Sequence, residues 1–197
     1  RTYGPNGLIF PKTGGVSEAI CHATVRLYRA TGDPRYLNLT NYIIHEVWSE
    51  PGGVDFYNLG QGHPSVNNFP VRRWESINNI MALAEMYWLT GNANYKNAFV
   101  HLWQALLQTE VHNTGGFSTD EGLLGSPDKQ GTIETCCTVA WSLLSTDMLR
   151  LSADSRVADE LEFSAFNSAL ASIPYEGRCS TYDNPPDGYR HFCPLKQ

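Results

Sequence analysis

The chain has 197 residues, of which 42% are hydrophobic, 12% aromatic and only 17% charged, a balance that excludes intrinsic disorder and fits a globular unit with its own core. No apolar run reaches membrane-spanning length. A formal charge of -6 without a Lys/Arg-rich block excludes nucleic acid and anionic membrane as partners and leaves a neutral or weakly charged ligand.

The sequence opens at Arg1 without Met or a signal-like segment, so processing or truncation is expected to have removed what preceded it. A periplasmic, secreted or cytoplasmic location stays open. The first helical stripe is Val16, Ile20, Ala23, Leu27 and Ala30, and it ends in LYRATGD at Asp33. Similar segments recur about sixty residues apart as MYWLTGN, ending at Asn92, and MLRLSAD, ending at Asp154. In the first two, a glycine suits the end of one helix. The Asp or Asn after it suits the cap of the next.

Ile77, Ile80, Met81, Ala84, Tyr87 and Trp88 keep helical spacing before the second turn, and Tyr95, Phe99, Leu102, Trp103 and Leu106 keep it after. A weaker stripe of Leu161, Ala165, Ser168 and Ala169 follows the third. The sequon Asn38-Leu39-Thr40 falls within a helical pattern and is read as chance. The pattern therefore predicts an all-α chain, a single partial domain over 1–197 with three αα-hairpins at about 15–50, 74–110 and 133–172. The tail, 173–197, is irregular, with a short strand expected in RCSTYDN.

Three αα-hairpins amount to half of an (α/α)6 toroid, whose apolar edges would stand open unless a missing half or a homo-oligomeric partner closes the ring. The long connections, Ser49 to Arg73 and Glu110 to Thr132, lie opposite the tight turns. They gather His63, Arg72, Arg73, Trp74, Glu75, Glu121, Glu134 and Cys136 at one end.

Several of these residues carry chemistry. Glu121, in the turn-rich GGFSTDEG, is either a general acid or a solvated loop acid. Glu134 and Cys136, at a helix start, can reach one ion, and zinc accepts both sulfur and carboxylate oxygen; the bland reading is a small core cysteine. Cys137 is adjacent, and neighbours within a helix point about 100 degrees apart, so a shared ion is expected to need distortion. Cys193 adds either a third sulfur or a disulfide to Cys179. With Cys21 the cysteines number five, so at least one stays unpaired. His63 either binds substrate hydroxyls or organises its loop, and Trp74 lies at the pocket end. His22, His45, His101 and His112 lack ligand spacing.

IETCCTVAW, with GGFSTDEG upstream and VADELEFSAFNSALASI downstream, resembles glycoside hydrolase family 127, the β-L-arabinofuranosidase-like enzymes. LYRATGDPRYL and LAEMYWLTGN extend the likeness through most of the chain. The resemblance implies an (α/α)6 barrel followed by β-sandwich domains, with this chain as the barrel's second half. It also implies a retaining exo-acting glycosidase for plant-type glycans, with a zinc-bound cysteine nucleophile. Carried over, Glu121 is the general acid/base, and Glu134 and Cys136 are zinc ligands. The family's remaining sulfurs come from a downstream Cys-Cys pair whose first member is the nucleophile; here Cys193, in Phe-Cys-Pro, stands alone near that place as nucleophile and ligand. His63, Trp74 and Glu75 are the expected sugar contacts. Two other readings remain: a carbohydrate-binding or scaffold fragment, and a metal-free toroid lyase or epimerase using His63 and Tyr182.

Overall fold

A computed structural model describes residues 17–50, 54–62, 73–117, 132–186 and 188–191. A short 3-10 turn, Ser17–Ile20, leads into α1 (Cys21–Thr31), which folds back as α2 (Pro34–Tyr42) and continues through a π turn, Ile43–Val47. A single-turn helix, α3 (Phe56–Leu59), had no periodic signal. It is followed by the pair α4 (Arg73–Thr90) and α5 (Ala93–Glu110). The third pair is α6 (Thr135–Ser152) and α7 (Ser155–Ser164), which runs on through a π turn, Ala165–Ala169. The described chain is thus essentially all helical.

The three tight turns share one construction. The N–H groups of Gly32, Gly91 and Ala153 each donate to the carbonyl four residues back at 2.8 Å, in the left-handed region. The carboxylate or amide oxygen of Asp33, Asn92 and Asp154 then caps the next helix by accepting from the N–H of Arg35, Asn94 and Arg156 at 2.9–3.0 Å. Ala153 is the exception in residue type, with φ 51. A Cβ at Gly32 or Gly91 would meet nothing within 4 Å, so only backbone strain separates alanine from glycine there. Ala153→Gly is therefore expected to raise stability by about 1 kcal/mol, and Gly32→Ala to lower it comparably, in urea unfolding. No gain at Ala153 together with no loss at Gly32 would remove this account of the turns.

The inner layer is α1, α4 and α6, with α4 packed against both and α2, α5 and α7 outside. Eleven of α4's 18 residues are buried, which marks it as the central helix. Its Glu85, 3% exposed, pairs with Arg29 and Arg26 of α1, tying two inner helices together through charge. On α6, burial pushes the carboxyl of Asp147 up to about 6 despite Arg150 at 3.2 Å. Trp141 of α6 is fully buried between the rings of Trp103 and Phe117, at 5.4 and 5.5 Å.

One expectation holds and one changes. The small-residue stripe of Leu161, Ala165, Ser168 and Ala169 is the covered face of α7 and its extension, where Ser164 and Ser172 join it, and Phe163, Phe166 and Leu170 point outward. The small residues fit the close approach of the loop that begins the second long connection. A Cβ on Gly115 would come within 2.8 Å of the Ser164 backbone, and one on Gly116 within 2.9 Å of Ser168 Oγ, so only small side chains fit between. In the tail, the strand is shorter than RCSTYDN: β2 (Asp183–Asn184) pairs antiparallel with β1 (Ile133–Glu134), placing Glu134 opposite Asp183. Exposed Val139 and Leu143 on α6 join the phenylalanines of α7 to leave an apolar edge at the third hairpin.

Candidate functional site

The two-residue ladder decides where α6 begins. Glu134 holds extended backbone (φ -92, ψ 133) immediately before the helix, and its side chain makes no cap bond, so it is free to turn into the space beside the first turn. The tail is clamped to the same spot. Thr135 donates its N–H to the Tyr182 carbonyl at 2.9 Å and its hydroxyl to the Thr181 carbonyl at 2.7 Å, while Asn184 Nδ2 donates to Thr135 Oγ1 at 2.8 Å. Glu134, Cys136 and Tyr182 are brought together by this clamp.

The carboxylate is divided between two sets of partners. Arg73, the first residue of α4 and 3% exposed, donates Nη2 to Glu134 Oε1 at 2.8 Å. Oε2 faces the Tyr182 hydroxyl at 3.2 Å, Cys136 Sγ at 3.4 Å and Cys137 Sγ at 3.7 Å. The two sulfurs are themselves 3.7 Å apart, and Cys136 Sγ is 3.2 Å from the Tyr182 hydroxyl. The expectation that Cys137 would point away is thereby corrected. Both cysteines lie in the first helical turn, where the Cα–Cβ bonds tilt toward the N-terminus, so side chains one position apart can converge on the residue just before the helix. Carboxylate oxygen and both sulfurs all lie within 4.8 Å of one another, a donor set that suits zinc or another thiophilic cation.

Electrostatics follow from these contacts. Burial pushes the Glu134 carboxyl up, but the charge of Arg73 and the hydrogen bonds from Arg73, Cys136 and Tyr182 outweigh it and hold the group below the usual carboxylate range. Burial raises the Cys137 thiol, only partly offset by Arg73. The Tyr182 phenol is raised by its hydrogen bond to Cys136, then by burial and the nearby Cys136 and Glu134. These contacts favour the charged carboxylate at Glu134 and the protonated forms of Cys137 and Tyr182.

A cavity of about 340 Å³ opens over this cluster, bordered by Trp74 and Glu75 from the first turn of α4 and by Tyr182 from the tail. Trp74 is 40% exposed. Of the residues singled out in the sequence, Trp74, Glu75, Glu134 and Cys136 thus line one cavity, while His63, Glu121 and Cys193 lie outside the described residues. Cys179 is a free thiol. His45 bonds the Tyr95 hydroxyl at 2.8 Å and His101 Nδ1 the Gly60 carbonyl at 2.7 Å, and neither lines the cavity. Sequence reasoning placed Arg73 at this end but gave it no role. The signal was there: Arg73 sits four residues before Ile77, on the buried stripe of α4, where a cation needs a partner.

The family model for the β-L-arabinofuranosidase GH127 catalytic domain matches residues 10–193. The non-reducing end β-L-arabinofuranosidase of Bifidobacterium longum subsp. longum is 26% identical over 217 aligned residues, which cover 90% of this chain and 32% of that protein. A GH127 β-L-arabinofuranosidase from Geobacillus stearothermophilus T6 superposes with a TM-score of 0.68 at 23% identity, over 86% of this chain and 31% of the other. The GH76A α-1,6-mannanase of Salegentibacter sp. HEL1_6, in an inactive variant, shares the fold at a TM-score of 0.64 and 15% identity, over 95% of this chain and 50% of its own. The chain therefore spans 32% of the length of the curated relative it matches.

Proposed function

The chain belongs to the β-L-arabinofuranosidase GH127 catalytic-domain family, and from that premise we propose that it forms part of the barrel of a retaining, exo-acting β-L-arabinofuranosidase-like hydrolase of plant-type glycans. The observation that carries the reading is the convergence of Glu134, Cys136 and Cys137 under a cavity rimmed by Trp74. A cation-ready cluster open to a sugar-sized space is what a thiolate-dependent glycosidase requires. In this reading Glu134, Cys136 and Cys193 hold zinc, which when bound supplies the positive charge that keeps a cysteine as thiolate near neutral pH. Cys193 is the nucleophile toward the anomeric carbon. Glu121 protonates the departing glycosidic oxygen and then takes a proton from water. Trp74 offers its ring to the apolar face of the sugar, and Glu75 and His63 accept or donate to hydroxyls.

Arg73 contributes by position. It holds Oε1 of Glu134, so the carboxylate cannot swing away from the sulfurs. Val139, Leu143, Phe163 and Phe166 form an exposed edge, which supports closure of the ring by further hairpins from a longer protein or from a partner subunit.

Elemental analysis of the purified protein is expected to find one zinc per chain, lost on dialysis against a strong chelator together with any arabinofuranosidase activity. A protein that binds arabinose-containing glycans yet carries no metal would replace the hydrolase reading with a carbohydrate-binding scaffold.

A further inference from the structure

We infer that Cys137 is itself a ligand, so that Glu134, Cys136 and Cys137 form a three-point seat for a zinc-like cation with its remaining position open to the cavity. The inference rests on the metal-thiol reading above and gives a ligand role to a residue to which that reading assigns none. Three edges define the seat. The sulfurs are 3.7 Å apart, and Glu134 Oε2 lies 3.4 Å from Cys136 Sγ and 3.7 Å from Cys137 Sγ. Tetrahedral zinc with Zn–S near 2.3 Å and Zn–O near 2.1 Å sets neighbouring sulfurs about 3.8 Å apart and sulfur from oxygen about 3.6 Å apart. All three edges match that tetrahedron, so a cation can enter without moving the backbone.

The surroundings hold the seat in that shape. Glu134 is fixed by Arg73 on its other oxygen and by the β1–β2 ladder through its backbone. Cys136 and Cys137 occupy the second and third positions of α6, where unbonded N–H groups and the helix dipole favour negative sulfur. A carboxylate and two thiolates against a divalent cation and the Arg73 guanidinium sum to zero, the same balance that Cys193 in place of Cys137 gives, so charge permits the seat and the three matching edges are what single out Cys137. The fourth position of the seat faces the cavity of about 340 Å³ that Trp74 and Glu75 also line.

The test is cobalt(II) and zinc(II) binding to the full chain, wild type against Cys137→Ser, with Cys21→Ser as the control because Cys21 is equally buried but sits at the start of α1. Cys137→Ser is expected to weaken zinc more than about 100-fold, beyond what loss of an outer partner does. It should also remove about a third to a half of the sulfur-to-cobalt charge-transfer intensity, one sulfur of two or three. Cys21→Ser is expected to change neither. A second measurement leaves Cys137 intact: X-ray absorption on zinc-loaded Cys193→Ser should count two sulfur neighbours. Metal uptake by the wild type with unchanged affinity and spectrum in Cys137→Ser, or one sulfur in Cys193→Ser, overturns the inference and leaves the hydrolase reading standing. Failure of the wild type to take up either metal overturns the metal reading itself.

Discussion

Glu134→Gln is expected to destabilise the metal-free protein by about 3–5 kcal/mol, because it strands a guanidinium in the interior. Arg73 has a side chain only 2% exposed, and Glu134 Oε1 is its anionic partner among the described residues at 2.8 Å. The reverse change should be milder. Arg73→Met leaves a carboxylate that is 21% exposed and still receives hydrogen bonds from Tyr182 and Cys136, so a loss of about 1.5–3 kcal/mol is expected. The double variant should recover part of the Glu134→Gln loss, since it removes the stranded cation along with its partner. Urea unfolding with chelator present separates this pair from metal linkage. The pH dependence has a definite sign. Glu134 is held below the usual carboxylate range in the folded chain, so its contribution is complete above the ordinary glutamate pKa and fades as the pH falls through the lowered value. The gap between wild type and Glu134→Gln should narrow accordingly in acid. Equal losses below about 1 kcal/mol in both single variants would make the pair an ordinary surface salt bridge.

The hairpins were legible because each depends on local chemistry that a single chain displays. The turns at Gly32, Gly91 and Ala153 combine a left-handed residue with a capping Asp or Asn, and the stripes of α4 and α5 keep one period over 18 residues each. The small-residue stripe of α7 was legible, but its cause was not, since what requires small residues there is a glycine pair far earlier in the chain, Gly115 and Gly116, whose backbone presses against Ser164 and Ser168. The same division runs through the site. Glu134 and Cys136 announce themselves as an acid and a thiol at a helix start. Cys137 was set aside by a rule for helix interiors, which the first turn does not obey. Tyr182 arrives from 46 residues beyond Cys136 through a ladder of two residues per strand, too short to show any alternation in sequence.

Glu121→Gln, in the protein with its ring closed, is expected to slow hydrolysis of a natural arabinofuranosyl linkage by about 10² to 10⁴, or roughly 2.7–5.5 kcal/mol of barrier. The loss for an activated aryl arabinofuranoside should be far smaller. A sugar alkoxide is a poor leaving group and departs only with a proton delivered in the transition state, whereas a nitrophenolate leaves without one. The described residues bring the chain to the cluster from which Glu121 would act. Val111 and Phe117 pair across a tight loop, Gly115 takes the left-handed turn, and Phe117 donates its N–H to Thr138 Oγ1 at 3.1 Å. Thr138 follows Cys137 directly and donates its hydroxyl to the Glu134 carbonyl at 3.2 Å. The segment leading to Glu121 is thus tied to the turn that carries Glu134, Cys136 and Cys137, and four further residues span at most about 14 Å. Measured side by side, kcat/KM for the two substrates separates the roles: a loss confined to the natural linkage identifies the acid, and equal losses on both remove Glu121 from proton transfer.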